Sequence, residues 1–139
     1  MKEVTSLMID IFELKKLKYD FMGYTFTNSN QLSFHHLIIP KKDCKKAGLG
    51  DGYLFWNGAI LKQQTSHDYL HIIERLDRNT FLKITNIMIE ENKNQKLDLQ
   101  SLKAIRYLLL QFERQYKEIT KKDGKKLIRL NYIKDRIPL

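Results

Sequence analysis

Hydrophobic periodicity changes character at one point in this chain, and that change limits what it can fold into. From Phe21 to Ile39 the apolar residues fall in strand-like runs, GYTFT and LSFHHLII, around an Asn-Ser-Asn turn. YLFWNGAILKQQ, 53–64, is strand-like again, and Asn57-Gly58 within it is the dipeptide of a two-residue hairpin turn. After Thr65-Ser66, an N-cap pair, Tyr69, Ile72, Ile73 and Leu76 repeat at helical spacing. Helical patterns also cover 5–18, with Leu7, Ile11, Leu14 and Lys18 on one face and Met8 and Phe12 beside it. They recur at 80–90 (Phe81, Ile84, Ile87, Met88) and 98–119 (Leu99, Leu102, Ile105, Leu109, Phe112, Tyr116, Ile119). The last stripe repeats near 3.5, so it fits either core packing or a homodimer seam. The expected fold is α+β, as one domain over 1–120 followed by a basic tail, 121–139.

Composition narrows the class. With 139 residues, 42% of them hydrophobic, the chain can bury a real core. Its single cysteine, Cys44, excludes an intramolecular disulfide and every multi-cysteine zinc site, and reads as an incidental loop thiol. The N-terminal stretch is interrupted by Glu3, Asp10 and Glu13, leaving no apolar run of the about 20 residues a membrane helix needs. A cytoplasmic, intracellular protein is the expectation. The net charge of +9 points to polyanions, nucleic acid first. That charge is uneven. The tail carries seven basic residues against two Asp, including Lys121, Lys122, Lys125 and Lys126, and the loop at 40–52 (PKKDCKKAGLGDG) adds Lys41, Lys42, Lys45 and Lys46. GLGDG lacks the strand, helix and Lys-Ser/Thr of a phosphate loop and reads as a flexible turn.

All four histidines lie between residues 35 and 71, across the change of period. His67 and His71 stand four apart at the start of a helix, so their imidazoles share one face and can grip one ion. His35 and His36 are adjacent on a strand and must point to opposite faces. One can join the helix pair as a third ligand while the other stays free to activate water. Each residue also has a plainer role: half-buried strand histidines, solvent-facing helix histidines, and a turn at Asn57.

In this order HHLIIP, NGAILKQQ and SHDYLH resemble the HNH nucleases, the ββα-metal or His-Me finger family, over residues 33–76. The resemblance implies a ββα-metal core of hairpin and helix, flanked here by an N-terminal helix and two C-terminal helices. It implies that His35, His67 and His71 hold one divalent metal ion, that His36 is the general base, and that Asn57 hydrogen-bonds across the hairpin to hold the backbone near that base. It further implies a metal-dependent endonuclease that hydrolyses phosphodiesters, DNA first, leaving a 5′-phosphate and a 3′-hydroxyl. Three imidazoles favour Zn, Mn or Ni over Mg, which prefers oxygen.

The chain departs from the family in two respects. It has no paired cysteines to brace the core with a structural zinc, so the flanking helices and the ion must do so. Relatives often present an Arg to the scissile phosphate, yet none precedes Arg75, which leaves Lys41, Lys42, Lys45 and Lys46 as substitutes or as a plain solvated loop. No base-reading module stands out, so weak sequence specificity is expected. Such a protein would suit a phage, a mobile element or a defence system. The alternative is a non-catalytic HNH scaffold acting as an inhibitor or regulator of another nucleic-acid system.

Overall fold

The computed structural model describes residues 2–116 and 136–138. Among them are six α-helices and one two-stranded antiparallel sheet, a mixed α+β fold. The order is α1 (Glu3–Ile11), α2 (Leu14–Leu17), β1 (Leu32–His36), α3 (Lys41–Cys44), β2 (Gly58–Lys62), α4 (Ser66–Leu76), α5 (Arg78–Asn94) and α6 (Leu99–Tyr116). No helix of the described residues is long and apolar enough to cross a membrane.

The helix expected over 5–18 is two helices. Glu13 sits in the left-handed region (φ 55°) and breaks the chain between them. The bend lets Phe12 pack on Phe21 and Phe55 while Leu14 is also buried. The inward face of α1 is consequently Thr5, Met8 and Ile9, whereas Leu7 and Ile11 face out.

The run GYTFT forms no regular strand. Its segment is folded back on itself by Asp20, whose carboxylate accepts the N–H groups of Met22 and Tyr24, both at 2.9 Å. Only isolated bridges remain there, Tyr19 to Thr25 and Tyr24 to Arg136. The Asn-Ser-Asn turn is present as a single 3₁₀ turn, capped reciprocally by Asn28 and Gln31.

Asn57-Gly58 is not a hairpin turn. The strands pair from Leu32↔Lys62 to His36↔Gly58, so residues 37–57 form a long excursion at the end of the sheet. Asn57 closes a 3₁₀ turn, Phe55–Asn57, and Gly58 is the first residue of β2. A side chain at Gly58 would collide with the Phe34 ring across the sheet. The excursion also differs from a plain loop, because it contains α3 and buries Cys44 completely, with Sγ against the Ile39 and Pro40 carbonyls. Gly52 (φ 75°) has no room for a Cβ beside that sulfur, so Cys44 is a packing residue rather than an incidental thiol.

β2 is buried along Gly58–Leu61 and is covered by α1, α4 and α5. Thr65 makes no cap to α4. Instead Ser66 accepts the Lys62 N–H at 3.0 Å and donates a short hydrogen bond to the buried Asp20 carboxylate. The stripe of α6, Leu102, Ile105, Leu109 and Phe112, is consumed by the chain's own core, so it is not a free dimer seam. Leu99 is exposed, and Ile119 lies outside the described residues. Residues 136–138, within the expected tail, pack back on the domain. The Ile137 N–H donates to the Gly23 carbonyl at 2.8 Å, and Arg136 pairs with Glu113.

Asp20 accepts from the N–H groups of Met22, Tyr24 and Lys62 and from the Ser66 hydroxyl, all while fully buried. Burial pushes its carboxyl pKa up, and those bonds pull it back toward the charged form. Asp20→Ala strands several buried donors at once. It is expected to lower unfolding free energy by about 2–4 kcal/mol in a denaturant titration. A loss below about 1 kcal/mol would show that the loop does not depend on this carboxylate.

Candidate metal centre

The pleat of β1 decides the layout of the site. Ser33 and His35 share one face, toward α4, while Phe34 and His36 share the other. On the α4 side His35 meets His67 and His71, with ring centroids 5.2 and 5.3 Å away, and His67 lies 5.1 Å from His71. One ring nitrogen from each of the three lies within 4.8 Å of the others. Imidazole nitrogens on a tetrahedral ion with bonds of about 2.0–2.1 Å stand roughly 3.3 Å apart, so the triangle is slightly open.

Hydrogen bonds set the tautomers. The Ser33 hydroxyl lies 3.1 Å from the Leu61 carbonyl, which can only accept, and 2.7 Å from His67 Nδ1. Ser33 therefore donates to Leu61 and accepts Nδ1–H from His67, leaving the His67 Nε2 lone pair bare. Glu74 Oε1 accepts from His71 Nδ1 at 3.1 Å and leaves Nε2 of that ring bare in the same way. His35 is 3% exposed, and its Nε2 has no hydrogen-bond partner. A buried polar atom without a partner is costly, and here it belongs to a ring that packs against two other imidazoles. The donor set fits a divalent ion, with Zn or Ni suited to imidazole better than Mg.

Electrostatics agree. Burial, reinforced by the crowding of His67, His71 and His36, holds the His35 pKa well below the ordinary imidazole range. Burial and then His71 lower His67 to about 4, against an opposing pull from Asp68. Both rings are thus neutral near pH 7, the form that ligates metal.

His36 faces away from this trio. Its Nε2 donates to the Asp51 carbonyl at 2.7 Å, which leaves Nδ1 as the acceptor. Its ring is wedged edge-on between Phe34 and Tyr53, each 5.0 Å away. Asn57 makes no hydrogen bond to His36. Its Oδ1 accepts the Ile38 and Ile39 N–H groups at 3.0 and 2.8 Å, and its Nδ2 donates to the carbonyls of Ile39 and Gly52. Gly52 adjoins Asp51, so Asn57 holds the backbone that holds His36.

One open cleft of about 840 Å³ reaches all four histidines. Lys41 and Lys42 line it, and Lys41 Nζ also stands 5.5 Å over the Tyr53 ring. Lys45 and Lys46 are exposed on the same excursion but do not line it. Lys121, Lys122, Lys125 and Lys126 lie outside the described residues.

Sequence reasoning missed Arg78, which lines the cleft from the start of α5 and reaches Glu74 at 3.7 Å. Its arrival depends on the corner between α4 and α5, where period carries no signal. Ser33 could have been found, since it stands two residues from His35 on the same pleat face.

Comparison with protein-family models, with curated proteins and with solved structures gives no match to this chain.

A histidine whose folded pKa is depressed favours the unfolded chain once protons bind. The stability His67 contributes is complete above its ordinary value of 6.5 and declines as pH falls toward about 4. In metal-free protein, the fall in melting temperature from about pH 7 to about pH 5 is expected to be smaller for His67→Gln than for wild type. Equal falls would contradict a buried, neutral His67.

Proposed function

We propose that the chain is a metal-dependent HNH endonuclease that hydrolyses phosphodiester bonds of nucleic acid, DNA first. The order β1, β2, α4, with ligands from the first strand and the helix, supports a ββα-metal core. The observation that carries the reading is the convergence of two sets of imidazoles on one cleft. One ring nitrogen from each of three imidazoles gathers on one side, and His36, whose Nε2 is held by the Asp51 carbonyl, lies on the opposite face of the same strand.

The residues divide the work as follows. His35, His67 and His71 would hold the ion, and Ser33 and Glu74 fix the tautomers of the two helix ligands. A divalent cation there supplies Lewis-acid charge at the scissile phosphate. The Asp51 carbonyl anchors the His36 Nε2–H, so Nδ1 can take a proton from the water that attacks phosphorus. The P–O bond to the 3′-oxygen breaks, giving a 5′-phosphate and, after proton uptake, a 3′-hydroxyl. Lys41, Lys42 and Arg78 supply positive charge along the cleft for the phosphate backbone. Asn57 acts through the backbone as a positioning residue, since it hydrogen-bonds the Gly52 carbonyl and not the imidazole.

The test is incubation of purified protein with supercoiled plasmid in Mg²⁺, Mn²⁺, Ni²⁺ or Zn²⁺. Wild type is expected to nick, and His36→Ala to lose at least about 100-fold in rate while binding metal as tightly as wild type. Nicking that survives His36→Ala would remove it as the base. Metal bound with no nicking in any ion would favour a non-catalytic scaffold.

A further inference from the structure

The cleft has a second wall, on α5, of which the chemistry above uses only Arg78. Arg78, Leu82 and Asn86 stand at i, i+4 and i+8 on α5, and all three line the cleft. At 1.5 Å of rise per residue the ladder spans about 12 Å, and its members share one helix face. Its order is chemical as well as geometric: a cation, an apolar surface, then an amide. Leu82 is 42% exposed, and Ile38, which lines the same cleft from the segment after β1, is 49% exposed. Single exposed apolar residues are ordinary. These two differ because they lie in one concavity with Lys41, Lys42 and Arg78.

The geometry points to an unpaired strand as the substrate, with one unstacked base laid on Leu82 and its edge on Asn86, and with the phosphate held by Arg78. This deepens the nuclease reading and rests on it. A nucleotide presents a charge, a flat apolar face and a donor–acceptor edge in the order the ladder offers. An amide matches such an edge because it carries a donor and an acceptor side by side. Size argues the same way. At about 840 Å³ the cleft falls within the roughly 300–1,000 Å³ of small-ligand sites. A duplex keeps its base faces stacked inside, out of reach of Leu82, whereas an unpaired strand exposes them.

Binding tests the inference without turnover. Fluorescence anisotropy of the full chain in chelator would compare a labelled single-stranded DNA 12-mer with its duplex. Single strand is expected to bind about tenfold more tightly, and Leu82→Ser with Asn86→Ala to remove that advantage while changing duplex affinity less than about twofold. Because both side chains are exposed, the variant is expected to keep the wild-type melting temperature and metal affinity. Leu82→Met with Asn86→Gln, which keeps the apolar and amide chemistry, should restore the preference. Equal or tighter duplex binding by wild type, or an undiminished preference in the first variant, would overturn the proposal. Nicking dependent on His36 would still stand in that case. Conversely, single-strand preference without nicking would overturn the nuclease reading alone.

Discussion

The Asn57 carboxamide is fully buried, and both of its ends are used. It takes the N–H groups of Ile38 and Ile39, just past the end of β1, and it gives its own protons to the carbonyls of Ile39 and of Gly52 across the excursion. The strand pairing therefore stops at His36, the excursion closes over that residue, and the Asp51 carbonyl comes within reach of its ring. Asn92 of α5 donates to the Phe55 and Gly58 carbonyls at 2.8 and 2.6 Å and braces the same turn from behind. An aliphatic residue at 57 would leave several buried backbone groups unpaired, a cost the small sheet has little else to offset.

The pleat separates what Asn57 holds together. Adjacent histidines on one strand face opposite ways, so the His35 ring is buried against two others while His36 remains at a half-buried edge. Desolvation keeps the His35 and His67 rings uncharged, and hydrogen bonds to Ser33 and Glu74 occupy Nδ1 of His67 and His71. A cluster of three imidazoles with an orphaned nitrogen at its buried corner is unfavourable by itself. A cation held there would remove that cost and couple ligand binding to folding at this point. The proposed chemistry uses both halves of the arrangement, with charge stabilisation on one side of β1 and proton transfer on the other.

Much of this layout is legible in residue order. Alternation around His35 and His36, the i, i+4 spacing of His67 and His71, and the helical stripe of Tyr69, Ile72 and Ile73 each depend on local geometry, which period reports well. The misread parts depend on tertiary contacts. Asn57-Gly58 has the chemistry of a two-residue turn, yet buried carbonyls and N–H groups recruit its amide to a long excursion instead. Leu7 and Ile11 have inward spacing on an unbroken helix, but Glu13 breaks it and turns Met8 and Ile9 inward. Asp20, Ser66 and Arg78 owe their roles to partners 42, 46 or only four residues away at a helix corner, and no periodic signal encodes any of these.

The central claim is that three particular imidazoles hold one ion beside a fourth that stays free. X-ray absorption at the metal edge of zinc- or nickel-loaded protein addresses it directly. The account predicts one ion per chain with three imidazole nitrogens at about 2.0–2.1 Å, unchanged in His36→Ala and lost in His35→Ala. An ion bound with fewer than three imidazoles, or one whose coordination depends on His36, would contradict it.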